Sequence, residues 1–192
     1  MAIAMTQLYD LEQPVSVLRA GGLILYPTDS IWGIGCDATD DVAVLNVFHL
    51  KQRPFHKPLV SLVSDIDMLK RYVPDIHPRI ETLLAHHERP LTIIYENVRG
   101  LAPLVVGKGG TAAIRLPQDR YCRDLIRQFG KPLVATSANV SDRPFPAHFG
   151  EVTSDIIQGV DHVCKHRQWD KRKFEPSVIA RLGANEELEF LR

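Results

Sequence analysis

Three cations fall within seven residues in Lys51-Gln52-Arg53-Pro54-Phe55-His56-Lys57-Pro58, and the two prolines hold the backbone between them extended. Lys presents a mobile point charge and Arg a planar fork. Together they suit the oxygens of a triphosphate and the charge that builds on a leaving pyrophosphate. A solvated charged loop is the structural alternative, and this segment alone leaves both open. Thr111-Ala112-Ala113-Ile114-Arg115 ends an apolar strand on a guanidinium, which is costly to bury without a partner. A substrate carboxylate and a structural salt bridge to Asp or Glu both meet that need. Two hydroxyl-bearing segments leave apolar strands where α/β sheets bind ligands. Tyr26-Pro27-Thr28-Asp29-Ser30 is also a composition that forms turns for purely local reasons. Thr136-Ser137-Ala138-Asn139-Val140-Ser141 offers hydroxyl and amide groups to phosphate, ribose or metal.

Several familiar chemistries are missing. No histidine stands at a diagnostic spacing from Ser137, and Ser-Ala-Asn is not a nucleophile elbow. The chain has neither a Walker lysine motif nor a Gly-x-Gly-x-x-Gly fingerprint, and its eight histidines show no HExxH-type spacing, so no metal ligand is assigned. Lys165 to Lys173 is strongly basic and contains Trp169. It reads either as a solvated loop or as a surface for phosphate contacts and base stacking.

The elements that must position these groups follow from apolar patterning. A short helix from Pro14 to Ala20 stops at Gly21-Gly22, and Leu23 to Tyr26 and Ile31 to Cys36 read as strands. Thr39, Asp40 and Asp41 are candidate caps for a helix ending near Lys51. Strand Leu59 to Val63 precedes helices capped by Ser64 or Asp65 and opened by Pro78. Leu91 to Tyr95, Ala112 to Leu116 and Leu133 to Thr136 are strands, with a helix from Arg120 to Phe129 closed by Gly130. A last helix spans Val152 to Gln158, and strands Ser177 to Arg181 and Glu189 to Leu191 complete the pattern. Strands alternating with helices predict an α/β fold, one twisted mixed sheet with flanking helices, as a single domain over residues 1–192.

Length and composition agree with that expectation. At 192 residues the chain can bury a sizeable core. Its 23 Lys and Arg balance 23 Asp and Glu, so no global field draws it to nucleic acid or lipid. Cys36, Cys122 and Cys164 fit neither a disulfide framework nor a zinc site. No run approaches the roughly 18 apolar residues of a membrane span, and the N-terminus has no signal-peptide pattern. The expected location is the cytoplasm.

Read in order, these segments resemble the YrdC/TsaC family of threonylcarbamoyladenylate synthases. The resemblance rests on Tyr-Pro-Thr-Asp-Ser at 26–30, Gly-Ile-Gly-Cys-Asp-Ala at 33–38 and Lys-x-Arg-Pro-x-x-Lys-Pro-Leu at 51–59. It continues through Ala-Ile-Arg-Leu-Pro at 113–117, Ser-Ala-Asn at 137–139, Pro-Ser at 176–177 and Phe-Leu-Arg at 190–192. It implies the family's short form and an open α/β fold. It also implies the conversion of L-threonine, bicarbonate and ATP, with Mg²⁺, into threonylcarbamoyl-AMP and pyrophosphate. The product would pass to tRNA threonylcarbamoyl-transferase proteins that modify the adenosine beside the anticodon. Lys51 and Arg53 would be catalytic, and Arg53, Lys57, Thr111, Ser137, Asn139 and Arg192 would bind ATP. Ser30, Arg115, Ala135 and Ser177 would bind threonine. A non-catalytic RNA-binding member of the same fold, using the Lys165 to Lys173 run, is the alternative. The chain differs from the family pattern at Glu88-Arg89-Pro90-Leu91-Thr92, where relatives carry Pro-Gly-Pro before the threonine. It differs again at Ser141-Asp142, where Ser-Gly is usual, and at Lys171 to Phe174, where glycines are frequent.

Overall fold

The structure is a computed structural model that describes residues 9–183 and 185–191. Among them are six α-helices and nine strands, and the strands form one mixed sheet. Helix α1 is Glu12–Arg19, β1 Ile24–Tyr26, β2 Gly33–Gly35, α2 Asp41–Lys51 and β3 Val60–Leu62. Helices α3 (Ile66–Tyr72) and α4 (Pro78–His86) precede β4 (Leu91–Tyr95) and β5 (Ala112–Arg115). Helix α5 (Arg120–Phe129), β6 (Leu133–Ser137), α6 (Ser154–Gln158), β7 (His162–Val163), β8 (Val178–Leu182) and β9 (Leu188–Phe190) follow. The spatial order is β7-β1-β2-β6-β3-β5-β4-β8-β9.

Side-chain caps, of which Asp40 and Asp65 were expected and Asp119 was not, set several helix starts. Asp40 accepts from the amides of Val42 and Ala43, Asp65 from Met68 and Asp119 from Cys122, each satisfying orphan donors of a first turn. Gly21 and Gly130 take the left-handed backbone that ends α1 and α5, with φ of 78° and 87°. Two expectations need correction. Helix α6 begins at Ser154 rather than Val152, because Phe149–Glu151 forms a separate 3₁₀ turn. Strand β7 was not expected, since His162–Val163 is too short to show alternation.

Register decides which residues face the ligand side. Paired residues share a face, and neighbours along a strand alternate. Ala135, Val60, Ala113 and Ile94 therefore form one row across β6, β3, β5 and β4, with Arg115 and Thr92 in the next row. On the opposite face the row Val134, Ser61, Ile114, Ile93 and Ala180 is fully buried. Two apolar cores pack around the sheet. Helices α1, α3, α4 and α5 contribute to one, and α2 and α6 to the other. The Gly-Ile-Gly stretch of β2 has a packing reason: a Cβ at Gly35 would sit 2.6 Å from the Tyr26 ring and 3.0 Å from the Val134 carbonyl. Its absence lets Tyr26 lie across β2 and donate to the Val134 carbonyl at 3.0 Å.

Candidate active site

A cleft of about 320 Å³ opens over the row that carries Val60, Ala113, Ile94 and Ala135. That volume lies in the range of small-molecule sites. Ser30, Arg53, Arg115, Ala135, Ser137 and Ser177 all line it. Those residues lie far apart in the chain and meet because β6, β3 and β5 are neighbours in the sheet.

At one end the turn after β1 is held by a chain of hydrogen bonds. Thr28 Oγ1 donates to the Ile31 carbonyl at 2.8 Å and accepts the Ser30 amide at 3.0 Å. With its one proton so directed, Thr28 must be the acceptor in its 3.0 Å contact with the Ser30 hydroxyl. Arg115 Nη1 donates to Ser30 Oγ at 2.7 Å, completing a chain from guanidinium to carbonyl. Arg115 is 4% exposed, and its Nη2 lies 3.4 Å from Asp29 Oδ1, an ion pair whose geometry falls short of a hydrogen bond. The structural salt bridge weighed from sequence is therefore present. It does not exhaust the guanidinium, because Nε is buried without a hydrogen-bond partner among the described residues. Beside it the Thr92 hydroxyl meets that of Ser177 at 2.7 Å.

At the other end the two loops read as separate signals are joined. Lys51 falls on the same stripe of α2 as Val44, Val47 and Phe48, so it is carried inward with them and is 1% exposed. Its ammonium donates to the carbonyls of Ser137 and Asn139, the latter at 2.6 Å, and its own carbonyl accepts from the Ser141 amide at 2.8 Å. Burial, with a smaller contribution from Arg53, pulls its pKa from 10.5 down to about 7. Lys51 is thus not among the cleft-lining residues; it braces the corner that is. Arg53 Nε and Nη2 donate to the carbonyls of Lys57 and Pro58 at 2.8 and 2.9 Å, which stiffens the proline-flanked loop. Lys57 pairs with Asp142 at 2.9 Å. Asp142 takes the left-handed backbone, with φ of 64°, a conformation that Asp adopts less readily than glycine.

The remaining expected residues are placed as follows. Asn139 Nδ2 donates to the carbonyls of Val140 and Arg143, and its Oδ1 is buried without a hydrogen-bond partner among the described residues, as is Ser141 Oγ. Thr111 Oγ1 donates to the Lys108 carbonyl at 3.2 Å, on a turn whose Gly107 adjoins Pro58. Arg192 lies outside the described residues. Residues that sequence reasoning did not assign to the site include Thr28, Ile31, Val60, Ile94, Phe145 and Ile179, all on the cleft wall. Most are apolar residues on or beside strands, which read as core until the register is known.

Among the described residues no group of three or more His, Cys, Asp or Glu could hold a metal ion. The oxygens at the corner, Asn139 Oδ1 and Ser141 Oγ, are neutral. They fit a magnesium ion that arrives on phosphates and keeps most of its water, since such an ion takes few protein ligands. Cys36, Cys122 and Cys164 are buried and free. No helix among the described residues is long and apolar enough to cross a membrane.

Fold and site together define an α/β protein with a small-molecule cleft on one face of a mixed sheet, lined by two arginines and several hydroxyls. The Sua5_yciO_yrdC family, described as "Telomere recombination", matches residues 16–192. The chain belongs to this family. It is 37% identical over 158 residues to a threonylcarbamoyl-AMP synthase of Stenotrophomonas maltophilia, covering 80% of this chain and 84% of the relative. With the enzyme of that name from Saccharophagus degradans it shares 37% over 130 residues, 67% of this chain and 68% of the other. A crystal structure of P. abyssi Sua5 complexed with L-threonine superposes with a TM-score of 0.82 at 25% identity over 95% of this chain. The present chain spans 53% of that longer protein. E. coli YciO, at 21% identity over 95% of this chain and 87% of its own, shares the fold with a TM-score of 0.77.

Proposed function

We propose that this protein makes threonylcarbamoyl-AMP and pyrophosphate from L-threonine, bicarbonate and ATP, for transfer to an adenosine of tRNA by partner proteins. The observation that carries the reading is Arg115, a buried guanidinium with an unpaired Nε in a cleft whose far end presents Arg53 and Ser137. One cation suits an amino-acid carboxylate, the other a polyphosphate. Relatives named for this activity and a threonine complex of a related protein support the assignment.

In this reading Arg115 takes the threonine carboxylate, with Ser30, Ala135 and Ser177 around the amino acid. Ser30 already accepts from Arg115 and donates to Thr28, so its remaining lone pair suits the substrate's amino or hydroxyl group. The amine adds to bicarbonate with loss of water. The resulting carbamate oxygen then attacks the α-phosphorus, and pyrophosphate leaves. Arg53 faces the phosphates from its braced loop, with Lys57, Thr111, Ser137, Asn139 and Arg192 as the further ATP contacts. Lys51 serves the nucleotide end by fixing the 137–139 backbone. Magnesium, held by Asn139 and Ser141 oxygens and by the phosphates, would offset phosphate charge. No protein nucleophile is needed, so positioning and fixed positive charge supply the rate.

Purified protein with ATP and magnesium is expected to release pyrophosphate only when threonine and bicarbonate are both present. Release that is indifferent to threonine overturns the proposal.

A further inference from the structure

The basic run 165–173 lies on the segment joining β7 to β8, which crosses from one margin of the sheet to beside the other. Its residues divide by direction. Lys165, Trp169, Lys171 and Lys173 are exposed. Arg167 turns inward with a left-handed backbone, φ 60°, and a side chain 14% exposed. Its Nη1 donates to the Thr28 carbonyl at 3.0 Å and lies 3.4 Å from Asp119, the cap of α5. Its Nε reaches Asp170 at 3.4 Å, and the guanidinium stands 4.8 Å from the centre of the Phe174 ring. Arg172 reinforces the arrangement with a fork onto Asp170, at 2.7 to 3.1 Å, and 5.4 Å from the same ring. That pairing, with Arg167 adding to it, holds the Asp170 carboxyl well below the usual carboxylate range.

Thr28 belongs to the turn that orients Ser30, and Phe174 leads directly to Pro176 and Ser177 on the cleft wall. We infer that Arg167 is a positioning residue: a single guanidinium ties the Thr28–Ser30 turn to the strap carrying Ser177, so both walls of the Arg115 end are set by it. A planar fork is required, because an ammonium cannot bond a carbonyl and two carboxylates while stacking on a ring. The effect expected on the amino acid rests on the threonine reading above; the mechanical coupling does not.

The test combines ligand-free hydrogen exchange with calorimetric titration of threonine and of ATP. Arg167→Met is expected to speed exchange about tenfold in both segments, 28–32 and 174–179, while β6 is unchanged. Threonine affinity should fall about tenfold and ATP affinity hold within about twofold, a split that general destabilisation does not produce. Arg167→Lys should behave like Arg167→Met, and Phe174→Leu should loosen the strap without removing charge if the arginine variants fold poorly. Lys165→Ala, Lys171→Ala and Lys173→Ala together should alter none of these. Faster exchange in one segment alone, or unchanged threonine affinity in Arg167→Met beside a wild type that binds it, overturns the inference. A wild type that binds no threonine, with both segments still loosened by Arg167→Met, overturns the threonine reading and upholds the coupling.

Discussion

The two ends of the cleft are built differently. At the Arg115 end the charged pair is buried, 4% exposed on the arginine and 9% on Asp29, and is fixed by a chain of hydroxyls. At the Lys57 end the pair joining the two loops is open to water, 40% exposed on the lysine and 73% on Asp142. Buried pairs are expensive to break and weakly screened, whereas exposed pairs contribute little and respond to salt. The Arg115 end is therefore preformed, and the Lys57 end is an adjustable loop contact over a rigid brace; on the proposed reading these would be the amino-acid and nucleotide ends. A small ligand with few contacts gains most from a preformed site, and a long polyphosphate can afford to order loops as it binds.

Arg115→Met breaks the comparison at its stronger side and should have the largest effect. It leaves the Asp29 carboxylate without its cation, at a stability cost of about 3–5 kcal/mol, and lowers threonine affinity about a hundredfold. Adding Asp29→Asn removes the stranded charge, so chemical denaturation should show recovered stability while titration shows no recovery of threonine binding. If the double variant stays as unstable as the single one, the preformed end is held by something other than this pair.

Lys51→Met tests the brace beneath the adjustable end. It leaves the Ser137 and Asn139 carbonyls without their donor, costing about 1–2 kcal/mol near pH 7, and should weaken ATP binding more than threonine binding. The dependence on pH has a definite sign. The folded protein releases the Lys51 proton near pH 7 and the unfolded chain near 10.5, so between those values the unfolded state binds more protons. Raising pH from 7 therefore stabilises wild type relative to the variant, by at most about 1.4 kcal/mol per pH unit. Urea melts of both proteins at pH 7 and pH 9 read this directly, and parallel curves would mean the ammonium is better solvated than its burial implies.

The same contrast explains what could be seen in the sequence. Helix α5, with Gly130 after it, is legible because apolar stripe and stop are both local. Arg115 is legible as a charge at the end of an apolar strand. The inward turn of Lys51 was not, despite its helical spacing from Val44, Val47 and Phe48; a lysine at the end of a helix that opens a cationic loop reads as solvent-facing. Arg167 was hidden for a similar reason. Its partners Thr28 and Asp119 are distant in the chain, so the run 165–173 reads as one basic patch, and only tertiary contacts separate the inward Arg167 from the outward lysines. The cleft floor, Val60, Ala113 and Ile94, required the strand order, which local patterning does not supply.

The smallest effect belongs to Asp142, and it sharpens the comparison at its weaker side. Lys57 holds the Asp142 carboxyl below its ordinary pKa, so the carboxylate is charged at neutral pH and, on the proposed reading, would compete with the ATP phosphates for that lysine. Asp142→Asn keeps a residue that tolerates φ of 64° and removes only the charge. Because an exposed, solvent-screened pair contributes little, stability should be nearly unchanged and ATP affinity should rise only about two- to threefold. The gain should shrink as salt is raised toward a Debye length of roughly 3 Å near 1 M, and threonine affinity should not move. An ATP gain that persists at high salt would trace to relaxed backbone at residue 142 rather than to released Lys57, and would place the adjustable element in the loop's conformation instead of its charge.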